Sequence, residues 1–258
     1  MIGIVYPSPI FGPVHSRRLG ISLGINLMPA DGKICTFDCI YCECGFNAEH
    51  RPSLPRPTRE EVAQKLEEKL QEMKAEGTAP NVLTFAGNGE PTAHPDFPAI
   101  IEDTIALRNR YFPEAKVSVL SNATRLLKSE VHAALMKVDN NIQKLDTVSG
   151  DYISLVDRPT GAYDLNQVLS ALEVFDGHVI IQTMFLKGKV GEHDVDNTGD
   201  KFVLPWLAAL RRIRPSRIMI YTIDRPTPDT ALLKATPEEL DRIAELLRAE
   251  GFDVEVAY

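Results

Sequence analysis

The four cysteines of this 258-residue chain, Cys35, Cys39, Cys42 and Cys44, all fall within ten positions, "CTFDCIYCEC". Disulfides between such close neighbours would close very small loops and constrain the unfolded chain little. They are also rare in cytosolic enzymes. Thiolate ligation of iron–sulfur or metal is the better use of C-x3-C-x2-C-x-C spacing. Cys35, Cys39 and Cys42 can wrap one [4Fe–4S] cube from a single loop and leave one iron without a protein ligand. An open metal position is what a catalytic site needs and a structural site avoids. Cys44 is then a fourth ligand or a free thiol. The alternative is zinc, whose structural sites join two Cys or His knuckles across a longer loop; no His pair follows here at that spacing.

The rest of the sequence must hold this loop. Apolar strands alternate with amphipathic helices: strands at Ile21 to Leu27, Val82 to Ala86, Lys116 to Leu120, Asn141 to Asp146, His178 to Phe185 and Arg217 to Ile223. The first helix opens on a capping box, Thr58 with Glu61, buries Val62, Leu66, Leu70 and Met73 on one face and stops near Gly77. Further helices are predicted at Asp96 to Arg110, Ser129 to Val138, Leu165 to Phe175 and Phe202 to Arg212. The last opens on Thr236, with Pro237 and Glu239 following, and Phe252 to Ala257 adds an edge strand. Six strand–helix units imply an α/β fold with a parallel sheet, either doubly wound or a full or partial barrel. In both, chemistry collects at the C-terminal strand ends, where "GNGEPT", "SNAT" and "DTVSG" lie.

Taken together, these segments resemble the radical S-adenosylmethionine (radical SAM) superfamily. "CTFDCIYC" resembles its C-x3-C-x-aromatic-C loop, with Tyr41 as the aromatic. "FAGNGEPTAHP" resembles its glycine–glutamate motif, and "SNAT" its polar motif after the third strand. "FGPVHSRRLGISLGINL" and "KLDTVSGDYISLVDRP" resemble a subgroup near the wybutosine-synthesis radical SAM domain. The resemblance covers most of Phe11 to Pro226. It implies a partial (β/α)6 barrel with a C-terminal helix and added edge strand, residues 1–258 forming one domain. It implies a [4Fe–4S] cluster on Cys35, Cys39 and Cys42, and SAM held near Tyr41, Gly87, Gly89, Glu90, Ser121, Asn122, Asp146 and Met184. SAM would be cleaved reductively to a 5′-deoxyadenosyl radical that takes hydrogen from a substrate, oxidoreductase- or lyase-type chemistry fed by a flavodoxin or ferredoxin.

Other residues are open to plainer readings. Lys144 and Asp146 are SAM or substrate contacts, or a solvated ion pair. Gln182 and Met184 share a strand face. Arg17, Arg18, Arg158 and Arg225 are candidates for a small anionic substrate. His15 and His94 are candidate proton donors, and "GEHDVDNTGD" (191–200) is a lid or a solvated loop. With no other cysteine, the chain has no auxiliary cluster. Its net charge of −8 argues against a nucleic-acid partner, so a tRNA-modifying role is secondary, beside glycyl-radical activation of a partner enzyme or a non-catalytic iron–sulfur or zinc protein. No apolar run is long enough to span a bilayer, and the start lacks the pattern of a signal peptide; a cytoplasmic location is expected.

Overall fold

The structure is a computed structural model describing residues 3–16 and 20–258. The strands are β1 (Ile10–Ser16), β2 (Gly20–Ile25), β3 (Val82–Phe85), β4 (Lys116–Ser121), β5 (Asn140–Lys144), β6 (Ile180–Met184), β7 (Leu186–Val190), β8 (His193–Asp194), β9 (Arg217–Tyr221), β10 (Leu232–Lys234) and β11 (Val254–Ala257). The helices are α1 (Arg59–Ala75), α2 (Phe97–Tyr111), α3 (Ser129–Leu135), the short α4 (Gly150–Tyr152), which runs into a π-turn at Ile153–Asp157, α5 (Leu165–Glu173), α6 (Asp200–Ile213) and α7 (Pro237–Ala249).

An eight-stranded sheet runs in the order β1-β2-β3-β4-β5-β6-β9-β11. Strands β2 to β11 of that sheet pair in parallel and β1 pairs antiparallel with β2. Among the described residues β1 and β11 do not pair with each other, so the barrel is partial. The expected architecture is thus observed, including the terminal edge strand. The capping boxes Thr58–Glu61 and Thr236–Glu239 are both formed.

The strands alternate with period two. Leu23, Ile25, Leu83, Phe85, Val117, Val119, Ile181, Ile218 and Ile220 face the helices in the main apolar core. Residues between them, among them Ser22, Thr84, Leu120, Ile142, Gln182 and Met219, line a central cavity. Two features differ from the sequence reading. The segment before the first barrel strand forms β1, a hairpin partner whose Phe11, Val14 and His15 wall the cavity. Residues 191–200 are not a simple solvated loop. They carry β8, which pairs with β7, and bury Val195 and Asn197 completely. Arg17 and Arg18 lie outside the described residues.

Candidate active site at the mouth of the partial barrel

The cysteine loop leaves β2 and is clamped against three other strand ends. On the first side, Ile34 N–H donates to Asn88 O at 3.0 Å and Glu90 N–H donates to Ile34 O at 3.3 Å. This contact requires Gly89. Its φ is +146°, and a Cβ there would lie 1.8 Å from Ile34 O. Its neighbour Asn88 is turned inward, donating to Tyr6 O and Pro29 O. On the second side, Thr36 Oγ1 meets Thr124 Oγ1 at 2.6 Å, and Asn122 Nδ2 donates to Thr36 Oγ1 at 2.9 Å. On the third, Ile40 N–H donates to Val156 O, Asp38 N–H to Asp157 O and Thr160 N–H to Thr36 O, all at 2.9–3.0 Å. Within the loop, Asn47 accepts from Cys35 N–H and donates to Cys35 O and Phe37 O.

Glu90 joins the glycine turn to the polar turn after β4. It is 2% exposed, accepts from Thr92 N–H and Oγ1–H, and takes the Asn122 N–H at 2.7 Å. Burial pushes its carboxyl above the usual range. Asn122 Nδ2 also approaches Cys35 Sγ at 3.6 Å. Cys35, Glu90, Ser121 and Asn122 thus form one side of the site.

The other side is charged. Lys144 Nζ lies 3.1 Å from Cys39 Sγ, 3.2 Å from Asp146 and 2.8 Å from Asp157, and 4.3 Å from the Tyr41 ring centroid. Tyr41 donates its hydroxyl to Asp146, which also accepts Met184 N–H at 2.9 Å. Burial pushes Asp146 up to about 6 despite Lys144. Burial opposes the Lys144 charge, but Asp146 and Asp157 hold its pKa well above normal. The pair Lys144–Asp146 is therefore buried, not solvated. Asp157 and the buried Lys33, whose Nζ donates to Gly45 O at 2.6 Å, were not singled out in the sequence. The only signal for Asp157 is its place in the "VDRP" stretch after β5, and Lys33 has none beyond standing two residues before Cys35.

Cys42, Cys44, Tyr41, Gly87 and Met184 border the cavity, whose volume is about 560 Å³. Burial pushes the Cys35 thiol up to about 12 and raises Cys39 well above normal, while the adjoining Cys44 thiol brings Cys42 down to about 6. Cys44 Sγ sits 3.5 Å from Gly87 O. Among the described residues, no three His, Cys, Asp or Glu side chains converge as they would on a single metal ion. Arg225 stands on the cavity rim in an ion pair with Glu43, and Arg158 lies outside the cavity, over the Phe46 ring at 5.5 Å. His15 lines the cavity, but His94 is a structural residue. Its Nδ1 accepts Asp96 N–H at 3.1 Å, so Nε2 carries the proton that Pro57 O accepts at 2.9 Å.

Comparison with known proteins agrees with this geometry. The profile of the Radical SAM superfamily matches residues 31–201. A protein named GTPase Obg from Brachyspira hyodysenteriae is 28% identical over 247 residues, 93% of this chain but 33% of that protein. A UPF0026 protein of Helicobacter pylori is 31% identical over 228 residues, 86% of this chain and 68% of its own length. The chain thus spans between a third and about two thirds of these relatives. Among solved structures, a radical SAM methyltransferase from Sphaerobacter thermophilus has a TM-score of 0.68 at 15% identity, covering 92% of this chain and 66% of its own. Archaeal TYW1 has a TM-score of 0.53 at 14% identity, covering 88% and 71%. At these identities the structures speak to the fold, and the profile and the sequence relatives to the family: the chain belongs to the radical SAM superfamily, among the UPF0026 proteins.

Proposed function

We propose that Cys35, Cys39 and Cys42 hold a [4Fe–4S] cluster with one iron left to S-adenosylmethionine, and that the chain is an enzyme whose substrate occupies the central cavity. Once bound, cluster and SAM supply reductive C–S cleavage and a 5′-deoxyadenosyl radical that takes a hydrogen atom from the substrate. The observation that carries this reading is the placement of the three-cysteine loop. Strand ends bearing the glycine, polar and Lys–Asp motifs clamp it at the mouth of the cavity.

The donor set suits the cluster. Burial raises the Cys35 and Cys39 thiols and the Cys44 thiol lowers Cys42; positive charge bound by the three would favour the thiolate of each. A cube takes each thiolate on a different iron, whereas the donors of one zinc ion close on a point about 2.3 Å away.

The chain's own residues then have definable tasks. Gly87 and Gly89 bring backbone close to the cysteine loop, where the methionine part of SAM is to be gripped. The Glu90 carboxylate is taken up by Thr92 and Asn122, so it fixes the relative position of the two turns that form that pocket. Ser121 and Asn122 offer hydrogen bonds at one flank, and Tyr41, Asp146 and Met184 form the other. Phe37, Ile40, Tyr41, Tyr152 and Val156 pack around the loop in an apolar cluster that excludes water from a reactive radical.

The test is anaerobic reconstitution with iron and sulfide, followed by reduction with SAM and assay of 5′-deoxyadenosine. Alanine at Cys35, Cys39 or Cys42 should abolish both the brown chromophore and the product. Cys44→Ala should leave both largely intact; loss of the cluster in that variant would refute the open iron.

A further inference from the structure

The interior of the partial barrel has two halves. On β2 and β3, Ser22 Oγ and Thr84 Oγ1 share a hydrogen bond at 2.8 Å. On β4, β5 and β9, Leu120, Ile142 and Met219 form an apolar cluster of their own with Ile180. Gln182 stands in this apolar half. It pairs with Lys144 of β5 on one side and with Met219 of β9 on the other, and the Lys144 ammonium is held by Cys39, Asp146 and Asp157. The chain around Gln182 is satisfied. Its carbonyl accepts Leu145 N–H at 3.0 Å, Thr183 donates its hydroxyl to Leu145 O at 2.8 Å, and Met184 N–H donates to Asp146. The Gln182 side chain is not. The residue is 8% exposed and borders the cavity, and among the described residues its side-chain amide has no hydrogen-bond partner.

A buried amide left without a partner weakens a fold, so a native chain that keeps one calls for a reason. We propose that Gln182 is the specificity-determining residue of the substrate site, and that the group it takes is an uncharged amide on an apolar body. This deepens the reading of the central cavity as the substrate's place and rests on it, not on the cluster. A glutamine amide presents a C=O acceptor beside N–H donors, so its complement is an N–H beside a C=O. A carboxylate has no donor to offer Gln182 Oε1, and among Leu120, Ile142 and Met219 its buried charge meets no cation. The acidic and basic side chains that line the cavity, Glu43, Asp224 and Arg225, lie on the cysteine loop or after β9, and Arg225 is held by Glu43. Gln182 lies one pleat, roughly 7 Å, below Met184 along β6, and so beneath the flank assigned above to SAM. An apolar wall carrying a placed polar group is the usual build of a small-molecule site.

The experiment titrates the full chain, cluster-free and in parallel reconstituted with iron, sulfide and SAM, with three probes. One, 4-methylpentanamide, carries an open-chain amide; thymine holds the same C=O and N–H in a ring; 4-methylpentanoate is the charged match of the first. Ligand-observed NMR reads affinity in the cluster-free chain. At least one amide should bind more tightly than the pentanoate, and Gln182→Met should weaken it by roughly tenfold or more. Which amide binds shows whether the substrate's own is open-chain or cyclic. The Met variant nearly conserves volume, so it should melt no lower than the wild type, and its SAM affinity should be unchanged. Failure of both amides to bind, pentanoate binding that matches theirs, or amide binding untouched by Gln182→Met would overturn the proposal. So would a Met variant that melts lower, which makes Gln182 a structural tie, or one that loses affinity for SAM alone, which gives the amide to the cofactor. If Gln182-dependent amide binding is found and the reconstituted chain forms no 5′-deoxyadenosine with dithionite, the cluster reading fails and the amide site stands.

Discussion

Lys33 is 3% exposed, yet among the described residues its ammonium has only Gly45 O at 2.6 Å and Asp38 at 3.5 Å. Burial opposes its charge, and Cys42, Cys35 and Cys39 favour it. A buried cation so lightly compensated implies an anion close by, and a cluster on three thiolates would provide one. Lys33→Met should therefore fold and still take up iron, but its reduced cluster should form at a more negative potential, read by an EPR-monitored redox titration; Lys33→Arg should restore most of the shift. A Met variant that lost thermal stability and kept its potential would make Lys33 a mere tie for the loop. Asp146 carries a second residue-scale prediction. Burial moves its pKa from 3.8 to about 6, so between those values the folded chain holds more protons than the unfolded one. Stability then falls as pH rises through that window. In thermal melts of the cluster-free protein from pH 4 to 6, Asp146→Asn should gain on the wild type as pH rises, and parallel curves would contradict the assignment.

At the scale of elements, the glycine turn is where sequence and geometry meet most closely. With Gly89 at a φ of +146° and its missing Cβ 1.8 Å from Ile34 O, Gly89→Ala must push the cysteine loop off the end of β3. The expected result is a chain with unaltered far-UV circular dichroism that binds much less iron per molecule; full loading would show that the turn can yield. The parallel strands and their helices were legible because burial on one face writes a period into the sequence: Val62, Leu66, Leu70 and Met73 are all buried as that period requires. Hairpin β1 was not legible. "IFGPVHS" holds a Gly and a Pro that read as loop, and only pairing with β2 makes it a strand. The same limit applied to 191–200, whose acidic surface hides the inward Val195 and Asn197; Asn197 is set by its bonds to Leu186 N–H and Met184 O. Of the site, the cysteines and the two turns showed themselves through spacing. Asp157 and Lys33 did not, since their partners are distant in sequence and a lone Asp or Lys has no pattern.

Across the whole molecule, the buried apolar residues divide into bodies with different tasks. The main one lies between the sheet and α1 to α3, α5, α6 and α7, and includes Trp206 and Leu210. A second joins the cysteine loop to the β5–α5 connection and to β6 and β7, through Phe37, Ile40, Tyr152, Val156, Met184 and Leu186. The second body lies over the cavity mouth and holds the loop by a few backbone bonds and this packing, so it should open at lower free energy than the barrel. Ile40, fully buried there, tests the division. Truncating a buried Ile or Leu to Ala costs about 2–5 kcal/mol. In Ile40→Ala that loss should fall on loop opening, so hydrogen exchange in the cluster-free protein should quicken in residues 34–47 and 156–160 while β3, β4 and β9 stay protected. Leu210→Ala should instead speed exchange throughout the sheet and lower the melting temperature. If Ile40→Ala deprotected the sheet as strongly as Leu210→Ala, loop and barrel would be one cooperative unit, and the site would have no motion independent of its scaffold.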